Sequence, residues 1–266
     1  MKIITLNLRY DKPDKGNNDW KFRRYAIAKL IEKYEPDIIG TQEGKAHQIL
    51  DLHRLLPQYQ SVGTDQIGNG TGEHCAIFYQ TKKFQCIESK NFWLSDTPKL
   101  VGSISSEWGN STPKLVSWGV FISRETQQKI TVFNTHLDYY SQGSRKLSIP
   151  LIQKYLNQVN PEYSLLILTG DFNAEPNSEE RNALLQPLAN GIQLLDSLSD
   201  IPLESQQTFH DFTGEAIAAV DTIYYDHRML LESVNIDVNQ IEDIWPSDHF
   251  PVIVRFSVKN SILFRH

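Results

Sequence analysis

The chain has 266 residues, 40% of them hydrophobic, and a formal net charge of −6 at pH 7. The acidic balance weighs against a protein that binds DNA broadly, because such proteins normally carry a basic surface. No apolar run approaches the ~20 residues of a membrane-spanning helix, and the N-terminus lacks the pattern of a secretory leader. We therefore expect a cytoplasmic protein.

Strand and helix patterns alternate in the first half of the chain. An apolar run at 2–8 predicts a strand, and helical spacing of apolar residues predicts a helix over 19–35 with Asp19 as its N-cap. A second strand at 37–43 and a second helix over 46–56 follow. This alternation is typical of α/β proteins.

The rest of the chain is richer in strands. β-branched and aromatic residues predict strands at CAIFYQ, FQCIES, FWLS, VSWGVFI, KITVFNTHL, LLILTGDF, AVDTIYY and PVIVRFSV. A helix is predicted near residues 144–159, with Pro150 in its first turn or at a kink. A short helix over 178–189 should begin behind Asn177, with Glu180 three residues later. The mixture predicts an α/β sandwich, and no composition break suggests more than one domain.

Five polar clusters stand at or near the ends of apolar runs. They contain Asn7, then Glu43, His136, Asp171 with Asn173, and Asp248 with His249. Metal-assisted attack of water on phosphorus needs this inventory: a carboxylate for a hard cation, a carboxylate and an amide to hold the water, and imidazoles for the phosphoryl oxygens. The clusters identify a reaction class but not a substrate.

Each cluster also has a purely structural interpretation. GDFN alone would predict a turn, and a lone Glu43 at a strand end would usually face solvent. Strand periodicity, however, puts Asp171 and Asn173 on one side, where the first could hold or deprotonate a water and the second could orient it. Mg²⁺ takes only one or two protein carboxylates, so Glu43 suits a sparse metal site. The joint occurrence of the clusters favours catalysis.

The motifs TQE, THLD, GDFN and SDH, together with an N-terminal Asn, resemble the endonuclease/exonuclease/phosphatase superfamily and a bacterial branch of it. They occur in the superfamily's order and cover nearly the whole chain. The resemblance implies one catalytic domain over 1–266. It also implies a deoxyribonuclease I-like α/β fold, a four-layer sandwich of two mixed β-sheets flanked by helices, with the site at one end.

The resemblance further implies Mg²⁺ or Mn²⁺ as cofactor, with Glu43 as the main ligand and Asn7 and Asp248 in the metal environment. Whether one or two ions bind stays open. Asp171 and Asn173 would handle the attacking water.

Two imidazoles are expected on the phosphoryl group. The resemblance assigns this role to His249, oriented by Asp221, and to His136, for which Glu73 is the candidate carboxylate partner. Either Asp171 or the Asp221–His249 pair could take the proton from water, and the sequence leaves this open.

Other residues are candidates for the substrate rim. Arg9, His210 and Trp245 are the candidate substrate-binding residues, although His210 could instead stabilise its loop. Arg23 could be structural, paired with a carboxylate, or bind substrate. Lys114 stands where relatives often have Arg, which argues against bidentate phosphate recognition there.

We therefore expect a divalent-cation-dependent phosphoester hydrolase acting on a small phosphodiester or phosphomonoester. The alternatives are a nuclease, then a sphingomyelinase-like lipid phosphodiesterase, and last a non-catalytic binding module on the same scaffold. The expected partner is the phosphoester substrate. The net charge does not favour nucleic acid, and we expect a monomer.

Overall fold

The computed structural model describes residues 1–258, which contain twelve strands and four α-helices. The strands are β1 Lys2–Asn7, β2 Ile38–Gly44, β3 Tyr59–Val62, β4 His74–Gln80, β5 Phe84–Trp93, β6 Leu115–Ser123, β7 Lys129–His136, β8 Leu165–Asp171, β9 Leu194–Asp196, β10 Asp221–Asp226, β11 Met229–Ile236 and β12 Val252–Val258. The helices are α1 Trp20–Tyr34, α2 Ala46–Leu55, α3 Gln142–Leu156 and α4 Glu179–Leu184.

The strands form two six-stranded sheets. The first sheet has the order β11-β12-β1-β2-β4-β3, and the second has the order β5-β6-β7-β8-β10-β9. The β1–β2 and β7–β8 pairs are parallel, whereas every other pair is antiparallel, so both sheets are mixed. The parallel pair lies in the middle of each sheet.

Three hydrophobic clusters hold four layers together. Alternate residues of each central strand point to opposite faces, so Ile3 lies in the cluster between the sheets while Ile4 packs with Ile27 of α1. The second sheet likewise buries Phe133 against Ile149 of α3. The predicted sandwich of two mixed sheets flanked by helices is confirmed.

The carboxyl ends of the central strands meet at one end of the sandwich. Asn7 ends β1, His136 ends β7 and Asp171 ends β8, while Asp221 begins the antiparallel β10 directly opposite Asp171. Glu43 is the penultimate residue of β2, where a bulge interrupts its pairing with β4. A bulge re-aims a side chain, so the strand ends gather the polar clusters at one edge.

A buried polar network joins the two sheets beneath this end. Asn134 of the second sheet donates to the backbone oxygens of Thr41 and Ala76 at 2.8 and 3.1 Å, and its Oδ1 accepts from Gln42 Nε2 at 2.7 Å. A Cβ at Gly40 would lie 2.1 Å from Thr169 Oγ1, so only glycine fits between the sheets there. The network fixes the spacing on which the site depends.

Several sequence-based boundaries were wrong. Pro150 lies well inside α3, which begins at Gln142 with Ser141 as its N-cap, so the first of its two predicted positions, the first turn, is excluded. The fourth helix spans only Glu179–Leu184, and its cap is Ser178. FQCIES and the first two residues of FWLS belong to the single strand β5, which ends at Trp93, and β3, β9 and β11 were not predicted. No helix within residues 1–258 is long and apolar enough to cross a membrane.

Candidate active site

Asn7 joins the two carboxylates of the site. Its Nδ2 donates to Glu43 Oε1 and to Asp171 Oδ2, both at 3.0 Å, and therefore links the two sheets. Its Oδ1 accepts from the Arg9 amide at 2.8 Å. Asn7 therefore orients the two carboxylates. Its Oδ1 keeps a second lone pair, so the place of Asn7 in the metal environment stays a prediction.

Glu43 is held as an anion at the mouth of the site. Its Oε2 accepts from the Tyr10 amide at 3.1 Å. Burial by itself would raise the pKa of Glu43, but the imidazoles of His136 and His249 and the hydrogen bonds from Asn7 and Tyr10 outweigh it and lower the pKa to about 2. The carboxylate is therefore ionised at every physiological pH.

Asp171 lies deeper and is 1% exposed. Burial and the neighbouring Asp221 carboxylate raise the pKa of Asp171 to about 7. Its Oδ1 accepts from the Asn173 amide at 3.0 Å, and Asn173 Nδ2 donates to the Leu137 carbonyl at 3.0 Å. Asn173 thus ties the turn after β8 to the residue after β7, beside the carboxylate as expected.

Backbone strain accumulates around these residues. Arg9, Glu43 and Asn173 have φ angles of 53°, 65° and 47°, in the left-handed region that side chains other than Asn and Asp rarely adopt. Such strain persists only where the surroundings over-determine the conformation, and it is concentrated at functional sites.

The imidazoles of His136 and His249 differ in their protonation state. Burial and Lys114 lower the pKa of His136 to about 3, so its ring is neutral. Its Nε2 lies 3.7 Å from Asp171 Oδ2 and 4.0 Å from Glu43 Oε1. His249 Nδ1 lies 2.7 Å from Asp221 Oδ2. Burial opposes the charge on His249, but Asp221 raises its pKa to about 10, so this ring is protonated.

Glu73, the predicted carboxylate partner of His136, does not pair with it. Within residues 1–258, no hydrogen bond or ion pair joins Glu73 to His136, and the nearest cation to Glu73 is Lys45, with Nζ 3.9 Å from Oε1. Burial and the Glu43 charge raise the pKa of Glu73. Glu73 stands at the end of the Gly-rich loop before β4 and lines the same cleft as His136.

Asp248 belongs to a separate group of contacts. Its Oδ1 accepts from Ser247 Oγ at 3.2 Å, and its Oδ2 lies 3.4 Å from Arg9 Nη1. Burial raises the pKa of Asp248. Arg9 therefore reaches the cleft, as expected, but contacts a carboxylate there.

Arg23 is structural, although it pairs with no carboxylate within residues 1–258. It is fully buried and donates to the carbonyls of Asn18, Leu8, Arg9 and Pro246 at 2.7, 2.7, 3.0 and 3.1 Å. Desolvation lowers the pKa of its guanidinium to about 10. The side chain fastens the residues after β1 to the segment that carries Asp248.

His210 and Trp245 do not line the cleft. His210 is buried and stacks on Phe250 with ring centroids 4.0 Å apart and an interplanar angle of 12°. Trp245 contacts the His210 ring edge-on at 4.9 Å and covers Gly214. Burial lowers the pKa of His210 to about 4. The expectation that these two bind substrate is therefore corrected: they support the loop that carries Asp248.

The cleft has a volume of about 510 Å³. Besides the site residues it is lined by Lys114, Tyr139 and Phe209. Sequence reasoning missed Tyr139 and Phe209, because nothing in their local patterns distinguishes a cleft residue from a loop residue. Lys114 had been noted only as a departure from relatives, and its side chain is 5% exposed.

Residues 4–249 match the Endonuclease/Exonuclease/phosphatase family. The chain belongs to this family. An uncharacterized protein of Acanthamoeba polyphaga mimivirus is 30% identical over 96% of this chain and 100% of its own length. Nocturnin of Rattus norvegicus is 24% identical over 90% of this chain, which spans only 59% of nocturnin.

Solved structures of the family share this fold. A mannosyl-6-phosphatase of Bacteroides thetaiotaomicron superposes with a TM-score of 0.86 at 28% identity, covering 97% of this chain and 99% of that one. Another endonuclease/exonuclease/phosphatase family protein of that species gives 0.87 at 29% identity, covering 98% of each chain. These similarities support a phosphoester hydrolase or nuclease. Because relatives include viral and animal proteins, the narrower bacterial branch is not confirmed.

Members of this family are generally divalent-metal dependent, and the side chains here fit a metal. Candidate ligand atoms of Glu43, His136 and Asp171 lie within 4.8 Å of one another. Those of Asp171, Asp221 and His249 are equally close, but there the protonated His249 already supplies the positive charge. Two carboxylates converge on the same Asn7 amide, and a cation between them would relieve the repulsion that contributes to the raised pKa of Asp171. Asp248 is in neither group.

Proposed function

We propose that the chain is a divalent-cation-dependent hydrolase of small phosphoesters, working as a single catalytic domain. The observation that carries this proposal is the convergence of Glu43, Asp171 and His136 at one edge of the sandwich, with ligand atoms within 4.8 Å of one another. Isolated carboxylates of this kind are costly to bury. Their concentration in a cleft is the arrangement expected for metal-assisted hydrolysis.

Glu43 is the proposed main ligand of Mg²⁺ or Mn²⁺, and Asp248, whose Oδ2 lies 3.4 Å from Arg9 Nη1, is proposed to belong to the metal environment. Oxygen ligands of this type suit hard cations. Such an ion would polarise the phosphoryl group and stabilise the charge on the leaving oxygen. Asn7 contributes by holding Glu43 and Asp171 in fixed orientations.

Asp171 is the proposed base for the attacking water. Its two oxygens are oriented by the Asn173 amide and by Asn7, and a pKa of about 7 suits proton transfer near neutral pH. His249 holds a proton, since its pKa is raised to about 10, and is therefore assigned as a donor to a phosphoryl oxygen. His136 would provide a second, neutral contact to the phosphoryl group.

A small phosphoester is favoured over a polymer. The cleft volume of about 510 Å³ is in the range of small-molecule sites, and the net charge of −6 is unfavourable for a polyanion. A structure with 28% identity to this chain is described as a mannosyl-6-phosphatase, and the bacterial neighbours support a place among bacterial members of the family. Nuclease activity is the second candidate, because relatives include an exodeoxyribonuclease III of Haemophilus influenzae.

The test is hydrolysis of a mixed panel with Mg²⁺ or Mn²⁺, each run beside an EDTA control. The panel contains hexose phosphates, a generic phosphodiester, single- and double-stranded DNA, RNA and sphingomyelin. Asp171→Ala should lower kcat by about 10²–10⁴-fold while the fold remains intact.

Asp200→Ala, which removes an exposed carboxylate far from the cleft, is the matched control and should retain full activity. Near-normal turnover by the Asp171 variant would refute the assigned base. Preferential cleavage of DNA or RNA would replace the small-molecule proposal by the nuclease alternative.

A further inference from the structure

We propose that Tyr139 determines specificity by stacking on the face of a ring that the substrate carries next to its phosphoryl group. The ring is a pyranose or a nucleobase, both of which present a face to an aromatic side chain. This inference rests on the proposed phosphoester site, because it deepens the description of what that site holds.

Tyr139 is conspicuously exposed for a residue of the cleft. Its side chain is 75% exposed and that of Tyr140 is 82% exposed, and their rings meet edge-on with centroids 6.3 Å apart. Tyr139 lines the cleft together with Asp171 and His249, whereas Tyr140 does not. One of two adjacent, exposed tyrosines therefore borders the cleft, and the other provides a natural control.

The backbone under this ring is fixed. Asp138 Oδ1 accepts from the amides of Tyr140 and Ser141 at 3.0 and 2.7 Å. Arg145 Nη1 donates to the carbonyls of Asp138 and Tyr139 at 2.8 and 3.2 Å. Because the backbone is already ordered, only the side-chain torsions of Tyr139 have to be fixed when a ligand covers the ring, which favours binding.

The buried carboxylate of Glu180 forms an ion pair with Arg145. Glu180 of α4 is 2% exposed, and its Oε1 lies 3.8 Å from Arg145 Nε. Neither Glu180 oxygen accepts a hydrogen bond within residues 1–258. The ion pair with Arg145 is thus the electrostatic contact that offsets burial of this charge, and it positions the turn that carries Tyr139.

Other residues of the cleft suit a ligand that combines an anionic group with a ring. Lys114 is 5% exposed, and its ammonium makes no hydrogen bond or ion pair with the described residues; Glu73 is a carboxylate of the same cleft that interacts with it electrostatically, and an anionic group of the substrate would add a direct partner. Phe209 lines the same cleft and packs on His249 with centroids 5.0 Å apart. A bare phosphate would leave much of the 510 Å³ and the face of Tyr139 uncovered.

Binding calorimetry with Mg²⁺ tests the inference, using the full chain with Asp171→Ala so that no ligand turns over. Mannose 6-phosphate is compared with mannitol 6-phosphate, which keeps the six carbons and the primary phosphoester but has no ring. In a second arm, 5′-AMP is compared with ribose 5-phosphate, so that a nucleobase is distinguished from a sugar.

Adding Tyr139→Ala should weaken binding of mannose 6-phosphate or of 5′-AMP by about tenfold, and binding of the paired mannitol 6-phosphate or ribose 5-phosphate by less than about twofold. Tyr139→Phe should bind like the Tyr139 protein, since it keeps the ring face, and Tyr140→Ala should have no effect. Equal losses for both members of each pair, no loss, or no binding of any ring phosphate would overturn the inference.

Hydrolysis of the same ligands by the protein that retains Asp171 separates the two proposals. Ring discrimination in binding without turnover would refute only the hydrolase. Turnover of ring-bearing and open-chain phosphates alike, unaffected by Tyr139→Ala, would refute only the role of Tyr139.

Discussion

At the residue scale, the protonation of His249 can be followed through the stability of the protein. The folded-state pKa of about 10 exceeds the ordinary value of 6.5 because Asp221 holds the proton on the ring. This stabilisation is fully present below about pH 6.5 and is lost as the pH rises through about 10. Metal-free protein should therefore become less stable across this range.

Asp221→Asn should remove most of that dependence and lower the free energy of unfolding at pH 7 by about 3–5 kcal/mol, because the protonated imidazole loses its buried partner. Urea unfolding at a series of pH values between 6 and 10 measures the effect. Asp243→Asn, at an exposed site, is the control. The interpretation fails if the Asp221 variant and the original protein lose stability in parallel.

Arg23 stabilises the fold by donating hydrogen bonds to backbone carbonyls. Its guanidinium donates to four carbonyls from three segments of the chain. Arg23→Lys should cost about 2–4 kcal/mol, since an ammonium cannot reach all four and leaves buried carbonyls unpaired. Arg24→Lys, one residue on, is the control: its side chain is 31% exposed and pairs with Asp51, so this change should cost less than about 1 kcal/mol. Equal shifts in the urea midpoint for both variants would contradict this account.

At the scale of elements, the strands that the sequence failed to predict share one property. β3, β9 and β11 are edge strands, and β5, which was predicted as two pieces, is the remaining edge. Edge strands are partly solvated on both faces, so β5 and β11 lack clean alternation of buried and exposed residues. The central strands are buried on both faces and were correctly predicted.

The same distinction applies to the site. Motifs located Asn7, Asp171 and His249 because each stands at a central-strand end or beside one. The contact of Asn7 with Asp171 joins residues 164 positions apart on different sheets, and the exposure of Tyr139 depends on a turn fixed by α3. Such relations depend on how layers pack, and a local pattern contains no information about them.

The close approach of the two sheets gives a test at this scale. Gly40→Ala would place a Cβ 2.1 Å from Thr169 Oγ1 and 2.7 Å from Asn134 Oδ1, both in the opposite sheet. We expect a loss of about 3 kcal/mol or more, since the buried network must shift.

Gly143→Ala is the matched control, because Gly143 is exposed in α3 and its Cβ would meet nothing closer than 3.5 Å. This change should be neutral or stabilising by about 0.5–1 kcal/mol. Urea unfolding compares the two variants. A Gly40 variant as stable as the control would show that the sheets can separate at little cost.

At the scale of the whole molecule, an acidic protein concentrates carboxylates at one end of its sandwich. The charge of −6 raises the local concentration of cations, and Glu43 and Asp171 converge there on one amide. A cation that binds only the folded chain stabilises it by mass action, by about 2.7 kcal/mol at a concentration 100 times its Kd. Mg²⁺ or Mn²⁺ should therefore raise Tm by roughly 5 °C or more.

The Tm shift can be assigned to the site by comparing two neutralised carboxylates. Glu43→Gln should abolish the metal-induced increase in Tm, because the proposed main ligand is lost, whereas Glu125→Gln, at an exposed position remote from the cleft, should retain it. EDTA should return the original protein and the Glu125 variant to their metal-free Tm. Thermal unfolding with and without metal measures all three proteins. An equal metal-induced shift in the Glu43 variant would mean that the cations bind elsewhere. The carboxylates at the strand ends would then need another positively charged partner. For Asp171 the candidate is the protonated His249, whose Nδ1 lies 4.0 Å from Asp171 Oδ2.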